Sequence, residues 1–307
     1  MKSADVKHPL KECCDEFLMY LDAIRGMSVN TVIGYRNDLT QFVAMPGFTP
    51  EMDVSSVTTE MIRSCIGVFS RKKKSTASIN RFLSSVKSLF AYCKKFDYIQ
   101  INPANGIKSV KSPKLLPRFM TMAELNELCD APKKKEILWQ SRDKALFEMM
   151  YSSGCRVSEI AGLELSDLSS DFSSAMVTGK GNKDRLVFFE EDARNALREY
   201  LADRKKRVCD LSEKHVFINQ EGYPLTARGI RYILDRYSGA EGTNRHVSPH
   251  AFRHTFATAM ITNGADVRLV QEMLGHASIS TTQRYTHINT EKLIELYNKA
   301  HPHGGTQ

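Results

Sequence analysis

Six residues of this 307-residue chain combine into a chemistry: Arg156, Lys180, His250, Arg253, His276 and Tyr285. Five are cations or potential cations, and the sixth is a phenol. Displacement at a phosphodiester passes through a five-coordinate transition state that gathers negative charge on the non-bridging oxygens. Two guanidiniums can clamp those oxygens with paired hydrogen bonds, work that a divalent metal otherwise does. The 35 acidic residues form no dense carboxylate cluster along the chain. Arg156 and Arg253 are therefore the candidate clamp, and neither metal nor other cofactor is expected. Tyr285 is the candidate nucleophile. A free phenol ionises only near pH ~10, so it needs nearby cations to favour the phenolate or a histidine to take its proton. Lys180, in the string GKGNK, can reach a leaving 5′ oxygen as general acid, with Lys183 as its rival in the same turn. Glu159 lies three residues beyond Arg156, placed either to hold that guanidinium or to serve as a first-turn acid. His250 and His254 sit four apart, which suggests zinc. However, HAFRH lacks the glutamate of HExxH, and Arg253 would repel a metal. His254 is expected as a packed or capping side chain.

These residues need elements to hold them. The first third reads as four helices. Leu10, Phe17, Leu18, Leu21 and Ile24 recur at helical spacing over Leu10–Ile24. Ser28 caps a second helix running to about Ala44, and Thr58 or Thr59 a third. Thr76 or Ser78 opens a fourth through Ile79, Leu83, Val86, Leu89, Phe90 and Phe96, stopped by Asn102-Pro103. NGIKSVKSPKLLPR (105–118) has linker composition. Thr121 with Glu124 reads as a capping box, and Arg142–Tyr151 as a helix ending near Gly154. SSAMVTG and DRLVFF, flanking KGNK within 173–189, read as a β-hairpin. Helices resume at Asp192. Thr226 caps ARGIRYILDRY, Pro249 begins the helix carrying His250 and Arg253, and Asp266–Leu274 ends at Gly275. Glu291–Ala300 is a last amphipathic stretch.

The net charge of +8 is unevenly spread: residues 1–118 hold 18 Lys and Arg against 10 Asp and Glu, and beyond them the signs cancel. A basic first third fits a domain that embraces a polyanion, DNA first among candidates. No apolar run approaches the ~20 residues of a membrane span. MKSADVKHPLKECCDEF is too polar for a signal peptide, so a cytoplasmic protein without membrane contact is expected. The seven cysteines are scattered and lack metal-ligand spacing, which reads as buried or idle thiols.

YSSGCRVSEIAGLELSDL, VTGKGNKDRLVFF, SPHAFRHTFATAM, VQEMLGHASISTTQRYTHI and the closing KAHPHG resemble the tyrosine recombinase family, and within it the bacterial Xer recombinases. The resemblance extends to SVNTVIGYRNDLTQF and SINRFLSSVKSLFAYC, which look like that family's core-binding domain. It implies a mainly α fold: an N-terminal four-helix, SAM-like core-binding domain (1–106), a linker (107–118), and a mostly helical catalytic domain with a small β-sheet (119–307). It implies that Arg156 and Arg253 bind the scissile phosphate, Lys180 protonates the 5′ oxygen, His250 is acid/base, His276 hydrogen-bonds the phosphate and Tyr285 forms a 3′-phosphotyrosyl bond. Cys155, where the family often has a larger apolar residue, departs slightly. The implied partners are double-stranded DNA with paired half-sites and a tetramer on it, either of one chain or with a second recombinase. A DNA translocase remains open as activator. Glu291–Ala300, with Leu293, Ile294, Leu296 and Tyr297, would dock on a neighbouring protomer. Arg71, Lys72, Lys73, Lys74 and Lys87 are candidate phosphate contacts. Asn80 and Arg81 begin a helix suited to the major groove, and Arg228 and Arg231 would also face DNA. Resolution of chromosome dimers at a dif-like site, through a Holliday junction, is the expected role. A mobile-element integrase, a DNA invertase, a type IB topoisomerase and a non-catalytic DNA-binding protein are the alternatives.

Overall fold

A computed structural model describes residues 7–111, 120–179, 181, 183–210, 212–239, 243, 247–275, 294 and 297–302. Lys180, His276, Tyr285, Leu293 and Leu296 lie outside the described residues. The chain divides into two compact units, Met1–Leu116 and Pro117–Gln307.

Four helices build the first unit: α1 (Leu10–Met19), prolonged by a single π-turn (Tyr20–Ile24), α2 (Val29–Val43), α3 (Thr59–Arg71) and α4 (Thr76–Lys95). Hydroxyl side chains start three of them. Ser28, Thr58 and Ser75 each accept an N–H from three residues on, satisfying donors that the first turn leaves orphaned. The α4 cap is Ser75, not Thr76 or Ser78, because its Oγ is the one that reaches the Ser78 N–H. That helix also stops earlier than Asn102-Pro103. Lys95 is its last residue, and Asp97 turns left-handed at φ 60°. The core is aromatic: Phe42 packs against Phe48, Phe82 and Phe90. Ile24, expected on the apolar face, is 72% exposed because the π-turn rotates it outward.

A buried carboxylate joins α2 to α4. Asp38 is 2% exposed and accepts from Ser85 Oγ (2.9 Å), Arg81 Nη2 (2.8 Å) and Arg81 Nε (3.2 Å). Residues 107–111, within the expected linker, are strapped to the same helix. Asn80 exchanges two hydrogen bonds with the Val110 backbone (2.9 and 2.8 Å), Lys87 Nζ donates to the Ile107 carbonyl, and Ile107 is buried.

In the second unit α5 (Met122–Lys134) begins with the expected capping box of Thr121 and Glu124. α6 (Gln140–Ser153) runs through the middle, with 11 of its 14 residues buried. It packs on α5, on α8 (Glu191–Arg207) and on α10 (Pro249–Thr262). A helix covered on so many sides shows no apolar stripe, and each buried Phe or Met on it contributes roughly 1.5–3 kcal/mol. The only strands among the described residues, β1 (Ser174–Thr178) and β2 (Asp184–Phe188), pair antiparallel with Ser174 opposite Phe188 and Thr178 opposite Asp184. Among the described residues this unit also has α7 (Val157–Ala161), α9 (Ala227–Ser238) and α11 (Val267–Leu274). Thr226 and Asp266 cap the last two.

Residues 297–300 are helical and lie inside this unit. Tyr297, expected on a partner-facing surface, is 2% exposed. Its hydroxyl meets Ser152 Oγ at 2.8 Å and the Ser152 carbonyl at 3.0 Å, and its ring packs on Phe188. His301 follows it inward and pairs with Glu190 at 2.7 Å. The phenol thus has two buried hydrogen-bond partners within its own unit. Ile294, at 39% exposure, keeps an open face.

Candidate active site

Gly154 ends α6 in the left-handed conformation (φ 58°), which turns the chain toward Arg156, the residue capping α7. A Cβ at 154 would meet Phe256 Cδ1 at 2.5 Å, so both the backbone angle and the space demand glycine. Glu159 then holds Arg156 twice: Oε2 accepts the Arg156 backbone N–H (2.7 Å) and Oε1 accepts Nη1 (2.8 Å). Both sequence-based readings of Glu159, guanidinium holder and first-turn acid, are true at once.

A second guanidinium, unforeseen from the sequence, occupies the same carboxylate. Arg185 of β2 donates Nη1 to Oε1 and Nη2 to Oε2, each at 2.8 Å. Burial alone would raise the Glu159 carboxyl. The hydrogen bonds from Arg185 and Arg156 outweigh it and hold the group down at about 2. The signal for Arg185 was strand alternation. Residue 185 is in phase with buried Val187, so its charge points inward and requires a partner.

Arg253 comes from α10 and is 8% exposed. Its Nη1 donates to the Gly154 carbonyl (2.9 Å) and its Nη2 to the Leu274 carbonyl (2.5 Å). Arg185 Nε donates to the Met273 carbonyl (2.9 Å), and Arg156 Nη2 to that of Gly275 (3.0 Å). Three guanidiniums thus take three consecutive carbonyls at the C-terminus of α11, where the helix dipole favours cations. Gly275, at φ 65°, ends that helix beside the Arg185 side chain. Burial, then the neighbouring charge of Arg156, pulls the Arg253 guanidinium down to about 10. Three arginines against one glutamate leave a local charge of +2, and Arg156, at 29% side-chain exposure, is the one most open to solvent. The Cys155 thiol, buried beside Arg185, is pushed up to about 11 by that burial and is inert at neutral pH.

Of the six expected catalytic residues, the structure brings Arg156 and Arg253 together. His250 stands exposed in the first turn of α10, one turn before Arg253. Lys180, His276 and Tyr285 are outside the described residues. In sequence, Lys180 directly follows Gly179, where a Cβ would sit 3.4 Å from both Glu159 Oε1 and Arg185 Nη1. His276 directly follows Gly275. His254 is exposed on α10. Lys72, Lys73 and Lys74 are exposed at the turn after α3, and Arg228 and Arg231 on the outer face of α9. Asn80, Arg81 and Lys87 carry the intramolecular bonds described above. Among the described residues no group of His, Cys, Asp and Glu is arranged to hold a metal ion, and no helix is long and apolar enough to cross a membrane. A cleft of about 440 Å³ lined by Lys144, Glu148 and Asp192 contains none of the arginines.

The phage integrase family model matches residues 118–292, and that of the phage integrase N-terminal SAM-like domain residues 14–95. The tyrosine recombinase XerC of Treponema denticola is 43% identical over 311 residues, covering 96% of this chain and 100% of that protein. The tyrosine recombinase XerC of Thermodesulfovibrio yellowstonii is 40% identical over 290 residues, covering 93% and 95%. Among solved structures, a lambda integrase tetramer bound to a Holliday junction matches with a TM-score of 0.70 at 19% identity, covering 92% of this chain and 81% of that one. The Tn1549 transposon integrase in complex with a circular intermediate DNA matches at 0.69 and 19%, covering 91% and 96%. At these identities the two structures speak for the fold.

Proposed function

The chain belongs to the phage integrase family and is a tyrosine recombinase, and on that premise we propose that it exchanges DNA strands at paired half-sites with Tyr285 as nucleophile. The observation that carries the residue roles is the +2 cluster of Arg156, Arg185, Arg253 and Glu159, set where the chain enters the segment bearing His276 and Tyr285.

Arg156 and Arg253 grip the scissile phosphate, and His276 adds a hydrogen bond. The Tyr285 oxygen attacks phosphorus while His250 takes its proton. The bond to the 5′ oxygen breaks, and Lys180 protonates that leaving oxygen. The product is a 3′-phosphotyrosine and a free 5′-hydroxyl. A 5′-hydroxyl from the partner strand then attacks the phosphotyrosine, expels the tyrosine and reseals the strand. One phosphodiester replaces another of similar energy, so the exchange needs no ATP. Two strands exchange to give a Holliday junction, then the other two, within a tetramer of this chain or of this chain with a second recombinase. Lys72, Lys73, Lys74, Arg228 and Arg231 supply phosphate contacts; Asn80, Arg81 and Lys87 serve the fold first. The likeness to two XerC proteins supports a role in resolving chromosome dimers at a dif-like site; a cytoplasmic location completes this reading, and a DNA translocase stays open as activator.

The test uses a nicked duplex that traps the covalent intermediate. The wild-type chain forms a protein–DNA adduct through its residue 285, with or without a chelator, and Tyr285→Phe forms none. An adduct that persists in Tyr285→Phe removes the assignment. Selection of bound genomic sites then separates a chromosomal target from an element boundary.

A further inference from the structure

Glu159 accepts four N–H groups, two from Arg156 and two from Arg185, so each carboxylate oxygen is doubly satisfied. A carboxylate 2.8 Å from the phosphate-gripping Arg156 is a puzzle. Alone, that pair would be neutral, and a neutral pair has little to offer a transition state that gathers negative charge. Arg185 changes this. It meets Glu159 with the two-pronged geometry that makes the strongest carboxylate–guanidinium pairs, while the guanidinium of Arg156 gives Glu159 only Nη1, its other bond coming from the backbone N–H.

We propose that Arg185 is a positioning residue for strand cleavage, the dedicated counter-ion of Glu159 that leaves the charge of Arg156 uncompensated and available to the scissile phosphate. The inference rests on the reading of Arg156 as a phosphate ligand. It assigns a division of labour within the cluster. Glu159 fixes the direction of Arg156, Arg185 cancels the charge of Glu159, and Arg156 with Arg253 delivers the remaining +2. Arg185 reaches further through its backbone contacts. Its Nε holds the Met273 carbonyl, and it leaves little room beside Gly179, which precedes Lys180, and Gly275, which precedes His276: a Cβ there would lie 3.4 Å from Arg185 Nη1 and 3.3 Å from Arg185 Cδ, respectively. One side chain thus ties β2 to the end of α11, two residues before the glycine that precedes His276.

The experiment is single-turnover adduct formation at saturating protein on the nicked duplex, with thermal melting to confirm folding and a gel shift to report DNA affinity. Arg185→Gln is expected to cut the adduct rate by on the order of 10²-fold with little change in DNA affinity. The decisive variant is Arg185→Gln combined with Glu159→Gln. It restores the local charge to +2 and is expected to recover at least about tenfold of the lost rate. Arg185→Lys keeps the charge with poorer geometry and stays within about thirtyfold of wild type. An Arg185→Gln rate within about threefold of wild type, or a folded double variant no faster than the single one, overturns the proposal. If Arg185→Gln does not fold, the other two decide: both within about thirtyfold of wild type supports it, either slower while folded refutes it. Wild-type and Tyr285→Phe controls report on the recombinase reading separately, since they do not depend on Arg185.

Discussion

Arg81, expected from the sequence to contact DNA, lies in the second turn of α4 with its guanidinium bound to Asp38. Replacing it by alanine separates the two roles. Asp38 is 2% exposed and receives two of its three hydrogen bonds from Arg81, at 2.8 and 3.2 Å. The third, from Ser85 Oγ at 2.9 Å, remains. A charge-assisted bond contributes about 1.5–3 kcal/mol, and a buried charge stripped of its partner costs about 3–5. Arg81 is itself 63% exposed, so water can replace part of what is lost, and the expected cost is about 3 kcal/mol. At that cost the amides of α2 and α4 exchange with solvent on the order of 10²-fold faster, read by hydrogen–deuterium exchange of the full chain. Asp38→Ala with Arg81→Ala removes the stranded charge and should couple favourably by about 2 kcal/mol. If Arg81→Ala leaves exchange unchanged while DNA affinity falls tenfold, the pair is an idle surface contact and Arg81 is a DNA ligand after all.

Three further outcomes follow from named groups. The depressed Glu159 carboxyl contributes stability that is whole above its unfolded value near pH ~4.3 and is lost as the pH falls toward about 2, worth about 3 kcal/mol; the gap in denaturant midpoint between wild type and Glu159→Gln should close over that window. Gly154→Ala combines an unfavourable φ of 58° with a Cβ 2.5 Å from Phe256. It should destabilise by about 2–4 kcal/mol in a thermal melt and slow adduct formation by moving the carbonyl that Arg253 holds. Replacing Lys72, Lys73 and Lys74 with alanine should lower the slope of log affinity against log salt by up to about 3, measured by titration at several salt concentrations; an unchanged slope removes that turn from the DNA interface.

The parts of this fold legible in the sequence are those with local causes. Ser28, Thr121 with Glu124, and Thr226 cap their helices as read, and Thr58 is one of the two candidates for its helix, because a hydroxyl need only reach three residues ahead. Gly154 and Gly275 end helices because they alone take the left-handed angle without strain. The α4 cap is expected at Thr76 or Ser78 and lies at Ser75, since hydroxyls at 75, 76 and 78 all satisfy the same local rule. The candidate site was half legible. Arg156 and Arg253 stood out by type, but the bond from Arg185 to Glu159 spans 26 residues and those from Arg253 span 99 and 21, and no local pattern encodes such meetings. The stripe that includes Tyr297 specifies a buried face without saying which surface buries it; in this chain Ser152 and Phe188 do so.

The hooks on the end of α11 grip main-chain oxygens, not side chains. Spelling at Met273 and Leu274 can therefore drift while the grip persists, so long as their own packing is kept. Length cannot. One residue added or removed there shifts the left-handed stop at Gly275, and the apolar side chains beside it, by about 100° around and about 1.5 Å along the helix axis, which displaces the helix end that the three guanidiniums hold. The tolerance of this stretch to exchange and its intolerance to insertion should be opposite in sense.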